Sequence, residues 1–560
     1  MKALNLLVLL TLVLGVVSLF VGEAHIAASW VPVAVAIIDY TILALLVLEN
    51  ILDYRNEPVK SGYFRRNLPA LSLTFVFIVL FLFAHLSSAG GGYGTAVVIV
   101  RNLFIVAKVF TRFRKLSSFL ATLTTHPAQT ILLSFLLVIL VGCLVLMMPF
   151  CTVDDHGLSF LDALFTSTSA VCVTGLIVVD TATALTVIGQ VIVLLLIQIG
   201  GLGIMLLSFF TLFALGKRVS IENKLLLSYM LSQEDMSSLV GTIKSIIKIT
   251  AAIEGGGAIL LFSAFVPRFG FSFKAAYYAI FHSISAFCNA GFALFSDSLE
   301  QFRGDVAVNL IVSLLIILGG ISFAVMANLS DRVRGKVGHL TLNTRVVLIV
   351  TAILLAAGTF IIYGAEHGGV MKQYSLGEQY LSAFFQSVTL RTAGFNTIPF
   401  GSFRTFTYLE MMVFMFIGAA SGSTAGGIKV GTVAVLAGYV AAVLRNRRRV
   451  TIMRQSISQE QVVRAFLILV FGLTVLLLAF SVLSLSERLP FRFVAFEAVS
   501  AFGTVGLSAG ITSSLSAVGR IVIIVLMFLG RLGPLTVLAA ATQRESSVRV
   551  EYPQGILSVG

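Results

Sequence analysis

Apolar residues in this chain run in blocks of about 20, separated by short polar segments, and show no strict alternation. A bilayer core of about 30 Å needs about 20 helical residues to cross it. Blocks of that length fall near 4–22, 31–50, 68–87, 95–111 and 128–149. Further apolar runs lie near 185–213, 245–265, 306–328, 344–363, 405–440, 461–483 and 517–541. The first block follows Lys2 and precedes no small-x-small cleavage pattern, so it reads as a helix and not as a secretory signal. The polar segments are strongly basic at Arg55, Lys60, Arg65 and Arg66, at Arg112, Arg114 and Lys115, and at Lys217 and Arg218. Arg332, Arg334 and Lys336, then Arg445, Arg447, Arg448 and Arg449, continue the series. Placing these in the cytoplasm puts the N-terminus there as well, and leaves Asp154, Asp155, Asp162, Asp180 and Asp297 outside. The pattern predicts an all-α polytopic membrane protein.

Composition agrees. Of 560 residues, 58% are hydrophobic and 11% charged, with a mean hydropathy of +1.02. Soluble chains carry about 25% charge, so a soluble enzyme, a disordered scaffold and a secreted disulfide domain are excluded. Cys143, Cys151, Cys172 and Cys288 show no CxxC spacing. The net charge of +13 sits in the loops, which speaks for membrane topology and against nucleic acid as a partner.

Four loops on the outer side carry a repeat. FTSTSAVCVTG (165–175), FHSISAFCNAG (281–291), FFQSVTLRTAG (384–394) and FEAVSAFGTVG (496–506) align without gaps over eleven residues. Each opens with phenylalanine (Phe165, Phe281, Phe384, Phe496) and closes on glycine (Gly175, Gly291, Gly394, Gly506). A second landmark follows in the next apolar run: IGGLG at 199–203, LGGIS at 318–322, IGAAS at 417–421 and LGRLG at 529–533. Self-similarity at long period signals repeated architecture. The unit reads as outer helix, re-entrant half-helix, extended glycine-ended turn and inner helix.

Non-helical backbone at membrane depth is tolerated only where it is buried or lines a water-filled path. Four half-helices converging on one axis direct the negative ends of their dipoles there. The extended segments that follow are Cys172, Val173, Thr174 and Gly175; Cys288, Asn289, Ala290 and Gly291; Arg391, Thr392, Ala393 and Gly394; and Gly503, Thr504, Val505 and Gly506. Their backbone carbonyls, those of Cys172, Cys288, Arg391 and Gly503 included, form a ring able to replace the hydration shell of a cation. Glycine keeps a Cβ out of the path. The alternative is glycine serving close helix packing alone.

The run 405–443 is too long for one span, since 39 helical residues reach about 58 Å. Its centre, GAASGSTAGGIKVGT (418–432), is almost all small residues. Gly422, Gly426 and Gly427 disfavour a continuous helix. A broken inner helix with a loop beneath the filter is expected, with a tight small-residue helix interface as the alternative. Arg531 is expected in the middle of the last inner helix, where an intramembrane cation is costly and marks a functional site. There it would donate to carbonyls of 420–427 and hold the loop, or staple helices together. Lys429 marks the cytoplasmic end of that loop, and Ser423 and Thr424 lie within it. Arg391 is expected to face away from the path and brace the third filter. Asp180 and Asp297 are candidates for concentrating cations at the outer mouth, or for solvated caps. Glu254 and Glu497 read as buried carboxylates, Glu497 supporting its half-helix. Cys172 and Cys288 read as small side chains beside the filter and not as metal ligands.

With these residues in view, the sequence resembles the membrane subunit of the Trk/Ktr/HKT superfamily of potassium transporters. The four filter motifs carry the resemblance together with TAGGIKVGT (424–432), GRLGPLT (530–536), RTAGFNT (391–397) and GLIVVDT (175–181), over about 128–545. RTAGFNT and GLIVVDT suggest the bacterial Ktr or Trk branch. The resemblance implies a one-chain pore of four helix, pore-helix, helix units. It further implies a homodimer, a cytosolic nucleotide-binding (RCK-type) gating subunit, and a gating loop at 418–432. In that family glycine in all four filters goes with potassium and serine in the first with sodium; Gly175 therefore favours potassium.

The expected organisation is an N-terminal extension of about four helices (1–120), pore repeats at 121–218, 219–336, 337–450 and 451–545, and a cytoplasmic tail at 546–560. Arg101, Lys108, Arg112, Arg114 and Lys115 lack the every-third spacing of a voltage sensor, even with Asp39, Glu49 and Asp53 as partners, and read as a topology-fixing basic end. GGGYG (90–94) reads as an outer loop. No HExxH and no phosphate-binding loop is present in the sequence. A membrane enzyme and a cofactor held by this chain are therefore not expected, and the potassium ion is cargo. Sodium- or proton-coupled transport on the same scaffold is the alternative. RNRRRVTIMR (445–454) and 329–345 are candidate docking surfaces for the cytosolic subunit, or ordinary positive-inside charge.

Overall fold

The computed structural model describes residues 127–215 and 239–533, with 536–537 and scattered positions between 37 and 79. The expectations for the extension 1–120, for Lys217 and Arg218 and for the tail 546–560 lie outside the described residues, apart from those scattered positions. What remains is helical, with one two-residue hairpin. The helices in chain order are α1 (Pro127–Leu146), α2 (Phe160–Val171), α3 (Val187–Leu215), α4 (Leu239–Phe269), α5 (Phe273–Phe287), α6 (Val306–Gly320), α7 (Phe323–Val333), α8 (Leu342–Glu366), α9 (Leu376–Thr389), α10 (Thr405–Phe416), α11 (Val430–Leu444), α12 (Gln459–Ser486), α13 (Phe491–Gly503) and α14 (Ala517–Leu532). Strands β1 (Thr451–Ile452) and β2 (Gln455–Ser456) form the hairpin between α11 and α12.

Length sorts them. Within α4, α8 and α12, stretches of 25, 25 and 28 residues are long and apolar enough to cross a bilayer. By contrast α2, α5, α9 and α13 have 12, 15, 14 and 13 residues, about 18–23 Å at 1.5 Å per residue, so each enters without crossing. Most start on a serine cap: Ser159, Ser272 and Ser375 each accept a backbone N–H of their helix, and Glu378 completes a capping box on α9.

The four units close into a ring because each inner helix packs on the next unit's pore helix: α3 on α5, α6 on α9, α10 on α13, and α14 back on α2. The last junction is held at the outer face by an ion pair between Arg520 and Asp162, the guanidinium also donating to the carbonyls of Leu515 (3.1 Å) and Ser513 (3.0 Å). Two carboxylates tie helix starts in the later units. Glu366, at the end of α8, accepts the Arg404 N–H (2.9 Å) and the Thr407 hydroxyl. Glu487, after α12, accepts the N–H (3.2 Å) and hydroxyl (2.5 Å) of Ser516.

Two expected spans change shape. The run 306–328 bends by 101° between α6 and α7. Ile321 and Ser322 are extended, and the Ser322 hydroxyl accepts the Val325 N–H to start a new helix. The run 517–541 is interrupted at Gly533, whose φ of 79° ends α14, and is helical again at 536–537. Arg531 therefore lies in the last turn and not mid-helix, where a cation complements the helix dipole.

Inner helices approach pore helices closer than a side chain permits. A Cβ on Gly200, Gly319 or Gly530 would lie 2.1, 1.9 or 1.9 Å from the carbonyl oxygen of Val171, Phe287 or Phe502, the residue four before each filter glycine. Gly319→Ala is accordingly expected to cost about 2–3 kcal/mol, seen as a lowered midpoint of thermal unfolding in detergent. Gly255→Ala in α4, where a Cβ meets nothing within 4 Å, is expected to stay within about 0.5 kcal/mol of wild type.

Candidate ion pathway

Each pore helix ends in a helix cap that becomes the filter. In the first unit Cys172 is still helical, Val173 is left-handed with φ 54°, and Thr174 N–H returns to the Ser169 carbonyl (2.8 Å). Asn289 (φ 58°) with Ala290 N–H to Ser285, and Thr504 (φ 51°) with Val505 N–H to Ser500, repeat it, both bonds 2.8 Å. This is a six-to-one helix cap with no glycine at its left-handed position. A β-branched residue there, Val173 or Thr504, costs about 1–3 kcal/mol. The expected extended segments are thus wound tight in their first half, because the chain must turn back on the pore helix before it reaches the glycine.

The third unit departs from the ungapped alignment. Its fully buried phenylalanine is Phe385, not Phe384. Its Ala393 N–H returns four residues to Thr389 (3.0 Å), where the others return five. Ser387 donates to the Leu355 carbonyl (2.8 Å) as Ser167 does to Ile139 (2.7 Å) and Ser283 to Glu254 (2.7 Å). These equivalences show one residue fewer between the anchoring serine and the filter glycine in this unit.

Gly175, Gly291, Gly394 and Gly506 then meet in chain order around a ring, with φ of 93°, 70°, 80° and 90°. A Cβ on any of them would fall on the next unit's backbone. It would lie 2.5 Å from the Ala290 carbonyl, 2.8 Å from Ala393, 2.7 Å from Val505 and 2.0 Å from Thr174, respectively. Serine hydroxyls in the pore helices hold the glycines: Ser169 accepts from Gly175 (3.0 Å) and Ser500 from Gly506 (3.1 Å). His282 ties down the second post-filter segment, its Nε2 accepting the Leu294 N–H (3.3 Å) while Nδ1 contacts the Tyr278 carbonyl (2.7 Å). Glu497 does the same in the fourth, accepting the hydroxyls of Ser508 (2.9 Å) and Thr512.

Outside the ring opens a cavity of about 450 Å³ bounded by all four glycines and by Asp180, Asp297 and Glu300. Asp180 accepts the Ser296 hydroxyl (2.6 Å), and Glu300 the Asn396 amide (2.7 Å). Burial raises the Glu300 carboxyl above the ordinary carboxylate range, the Asn396 bond lowering it and Asp297 raising it further. Sequence reasoning named Asp180 and Asp297 and missed Glu300, although it lies one turn after Asp297.

Beneath the ring, α10 stops at Phe416 and α11 starts at Val430. The intervening loop folds on itself, Gly418 N–H donating to Ile428 (2.9 Å) and Val430 N–H to Ala419 (3.1 Å), with Gly422 and Gly427 at φ 73° and 66°. Ser423 closes a turn on the Ala420 carbonyl (2.7 Å). Lys429 Nζ reaches back to Ala425 (2.6 Å) and Gly426 (3.3 Å). A Cβ on Gly426 would meet the Thr504 side chain at 2.2 Å. The buried Arg531 donates to the Thr424 and Gly200 carbonyls, and to Gly201 at 3.3 Å. Arg391 is buried too and does not line the outer cavity, and its Nε and Nη1 make no hydrogen bond. Glu254 instead accepts from Gln198 behind Cys288, at 3.1 and 3.3 Å. All four cysteines are free and buried, and no cluster of metal-ligating side chains occurs among the described residues.

Comparison with known proteins agrees with this geometry. The chain is 40% identical over 434 residues to Ktr system potassium uptake protein B of Vibrio alginolyticus, covering 77% of this chain and 94% of that one. The protein of the same name from Bacillus subtilis is 38% identical over 436 residues, covering 78% and 97%. Potassium/sodium uptake protein NtpJ of Enterococcus hirae is 37% identical over 443 residues, covering 78% and 97%. The fold matches the crystal structure of the potassium transporter TrkH from Vibrio parahaemolyticus with a TM-score of 0.61 at 20% identity, over 84% of this chain and 98% of that one. The TrkH family model, described as cation transport protein, matches residues 98–551, so this membrane protein belongs to the TrkH cation transport family.

Proposed function

We propose that this chain takes up potassium across the cell membrane through the glycine ring, with the loop 417–429 as its gate. The ring carries the reading: four glycines, one from each unit, meet with carbonyls of neighbouring units beneath an acid-lined vestibule. Backbone oxygens in such a ring substitute for the water around a cation. The filter is formed by Val173–Gly175, Asn289–Gly291, Thr392–Gly394 and Thr504–Gly506, with the carbonyls of Cys172, Cys288, Arg391 and Gly503 at its base. The names of the Ktr relatives support potassium as the cargo.

The loop lies across the inner end of the path, and Arg531 holds it through Thr424 while placing a positive charge below the filter. Gly422, Ser423, Gly426, Gly427 and Lys429 shape it. The N-terminus is cytoplasmic, as the basic exposed segments Arg332–Lys336 and Arg445–Arg449 are. These segments and the hairpin after α11 offer a docking face for a cytosolic nucleotide-binding gating subunit, and the working unit is a homodimer. A sodium-permeable pore is the second reading, favoured by the name of the Enterococcus hirae relative.

Purified chain in proteoliposomes tests this through uptake of K⁺, Rb⁺ and Na⁺. Potassium and rubidium uptake well above sodium is expected; equal sodium uptake establishes the second reading, and no uptake of any cation by the chain with its loop shortened overturns the pore. Gly175→Ser, which drives a side chain onto the Ala290 carbonyl, is expected to lower the K⁺/Na⁺ ratio at least about tenfold, a change of about 1.4 kcal/mol between the two ions. Shortening the gate by deleting Gly422 and Ser423 is expected to raise uptake by the chain alone, whereas unchanged uptake removes the loop from gating.

The vestibule predicts a pH effect of definite sign. Because Glu300 holds its proton to higher pH than an ordinary carboxylate, acidification neutralises it first and weakens cation attraction at the mouth. Uptake at low ionic strength is therefore expected to fall by about threefold as Glu300 protonates, the factor for one charge about 6–7 Å from the ion in water. Glu300→Gln is expected to start at the lower rate and lose this step. A variant that keeps the step assigns it to another group.

A further inference from the structure

We propose that the Thr424 hydroxyl occupies a cation position at the inner end of the second filter, so that gate closure and ion occupancy compete for the same carbonyl oxygens. This rests on the loop 417–429 being the gate.

In three units the inner-helix glycine packs on its own pore helix, as Gly319 does on Phe287. Gly418, the equivalent residue of the third unit, instead faces its own loop, a Cβ there meeting the Gly426 carbonyl at 2.0 Å. The loop takes its contacts from the other units. Its Gly426 sits on Thr504 of the fourth filter, and its Thr424 sits on the second unit.

That second contact is made where two helix C-termini converge. Phe287 is the last residue of α5, and Gly319 is next to last in α6. Carbonyls in a final helical turn lack intrahelical partners and carry the negative end of the helix dipole. Thr424 Oγ1 donates to Gly319 O at 2.9 Å and approaches Phe287 O at 3.3 Å. The Thr424 N–H adds a third contact, to Gly319 O at 3.3 Å. The residue is 1% exposed. One hydroxyl proton is thus shared between two oxygens from converging helix ends, a geometry that also suits a partly dehydrated cation. Arg531 draws on the Thr424 carbonyl and fixes the hydroxyl in place. When the loop leaves, both oxygens are released to the ion path; when an ion occupies them, the loop has lost its seat.

Rb⁺ uptake by the full chain in proteoliposomes, over a range of Rb⁺ concentrations, tests this with Thr424→Val, Thr424→Ser and the loop shortened by Gly422 and Ser423. Thr424→Val keeps the shape and removes the donor. It is expected to raise uptake about 3- to 10-fold, the range for one neutral hydrogen bond, and to lower the half-saturating Rb⁺ concentration. Thr424→Ser keeps the donor and is expected to behave as wild type. A purely structural threonine would change thermal stability in the valine variant and leave half-saturation unmoved, which overturns the proposal. If the shortened loop raises uptake while valine and serine match wild type, this inference fails and the gate stands. If the shortened loop has no effect, both fall.

Discussion

Everything in this molecule depends on backbone meeting backbone where the pore helices end. Three inner-helix glycines lie so close to a pore-helix carbonyl that even a methyl group has no place, and the filter glycines are pressed as tightly on one another. Dispersion and hydrogen bonding at such distances are unforgiving of an added carbon. The same closeness aims four helix C-termini at one axis. Capping serines, the carboxylates of Glu366 and Glu487, and the Arg520–Asp162 pair hold elements at the angle this approach needs, and none of them touches the ion path.

The ring is fourfold in chain order but not in detail, and its function lives in the exceptions. The third unit has one residue fewer between its anchoring serine and its filter glycine, and its inner helix ends at Phe416, short of Gly418, where its counterparts keep Gly200, Gly319 and Gly530 within the helix. Both differences remove packing between that inner helix and its own filter. The freed volume is filled by the loop, which belongs to the third unit in sequence and to the second and fourth in its contacts. A gate bonded only within its own unit would sense that unit alone.

Much of this was legible in the sequence. The four glycine-ended motifs, the blocks of apolar residues and the break within 418–432 follow from spacing. Arg531 stands out because LGRLG places it where the other landmarks carry Gly201, Gly320 and Ala419; Gly201 has Cys288 Sγ where a side chain would go. What spacing missed is what three-dimensional contact decides. The missing residue in the third unit hides behind the doubled Phe384–Phe385, which aligns in either register. The bend at Ile321–Ser322 interrupts an apolar run with no proline to announce it. Left-handed Val173 contradicts local preference outright, and only the helix cap it completes accounts for it. Glu300 escaped because its role comes from burial beside Asn396 and not from any motif.

The closed loop also sets what opening requires. Arg531 makes three hydrogen bonds to carbonyls, each of the charge-assisted kind worth about 1.5–3 kcal/mol, of which only the one to Thr424 must break for the loop to move. The bonds to Gly200 and Gly201 keep the guanidinium on the first unit, so the arginine stays buried and paired while the loop leaves. Adding the Thr424 side-chain contacts gives a closed state favoured by a few kcal/mol. Moving a gate from 1:99 to 99:1 takes about 5.5 kcal/mol of differential binding, so a latch of this strength lies within reach of a gating partner such as the one proposed above. A stronger one, with every Arg531 bond made to the loop, would not be.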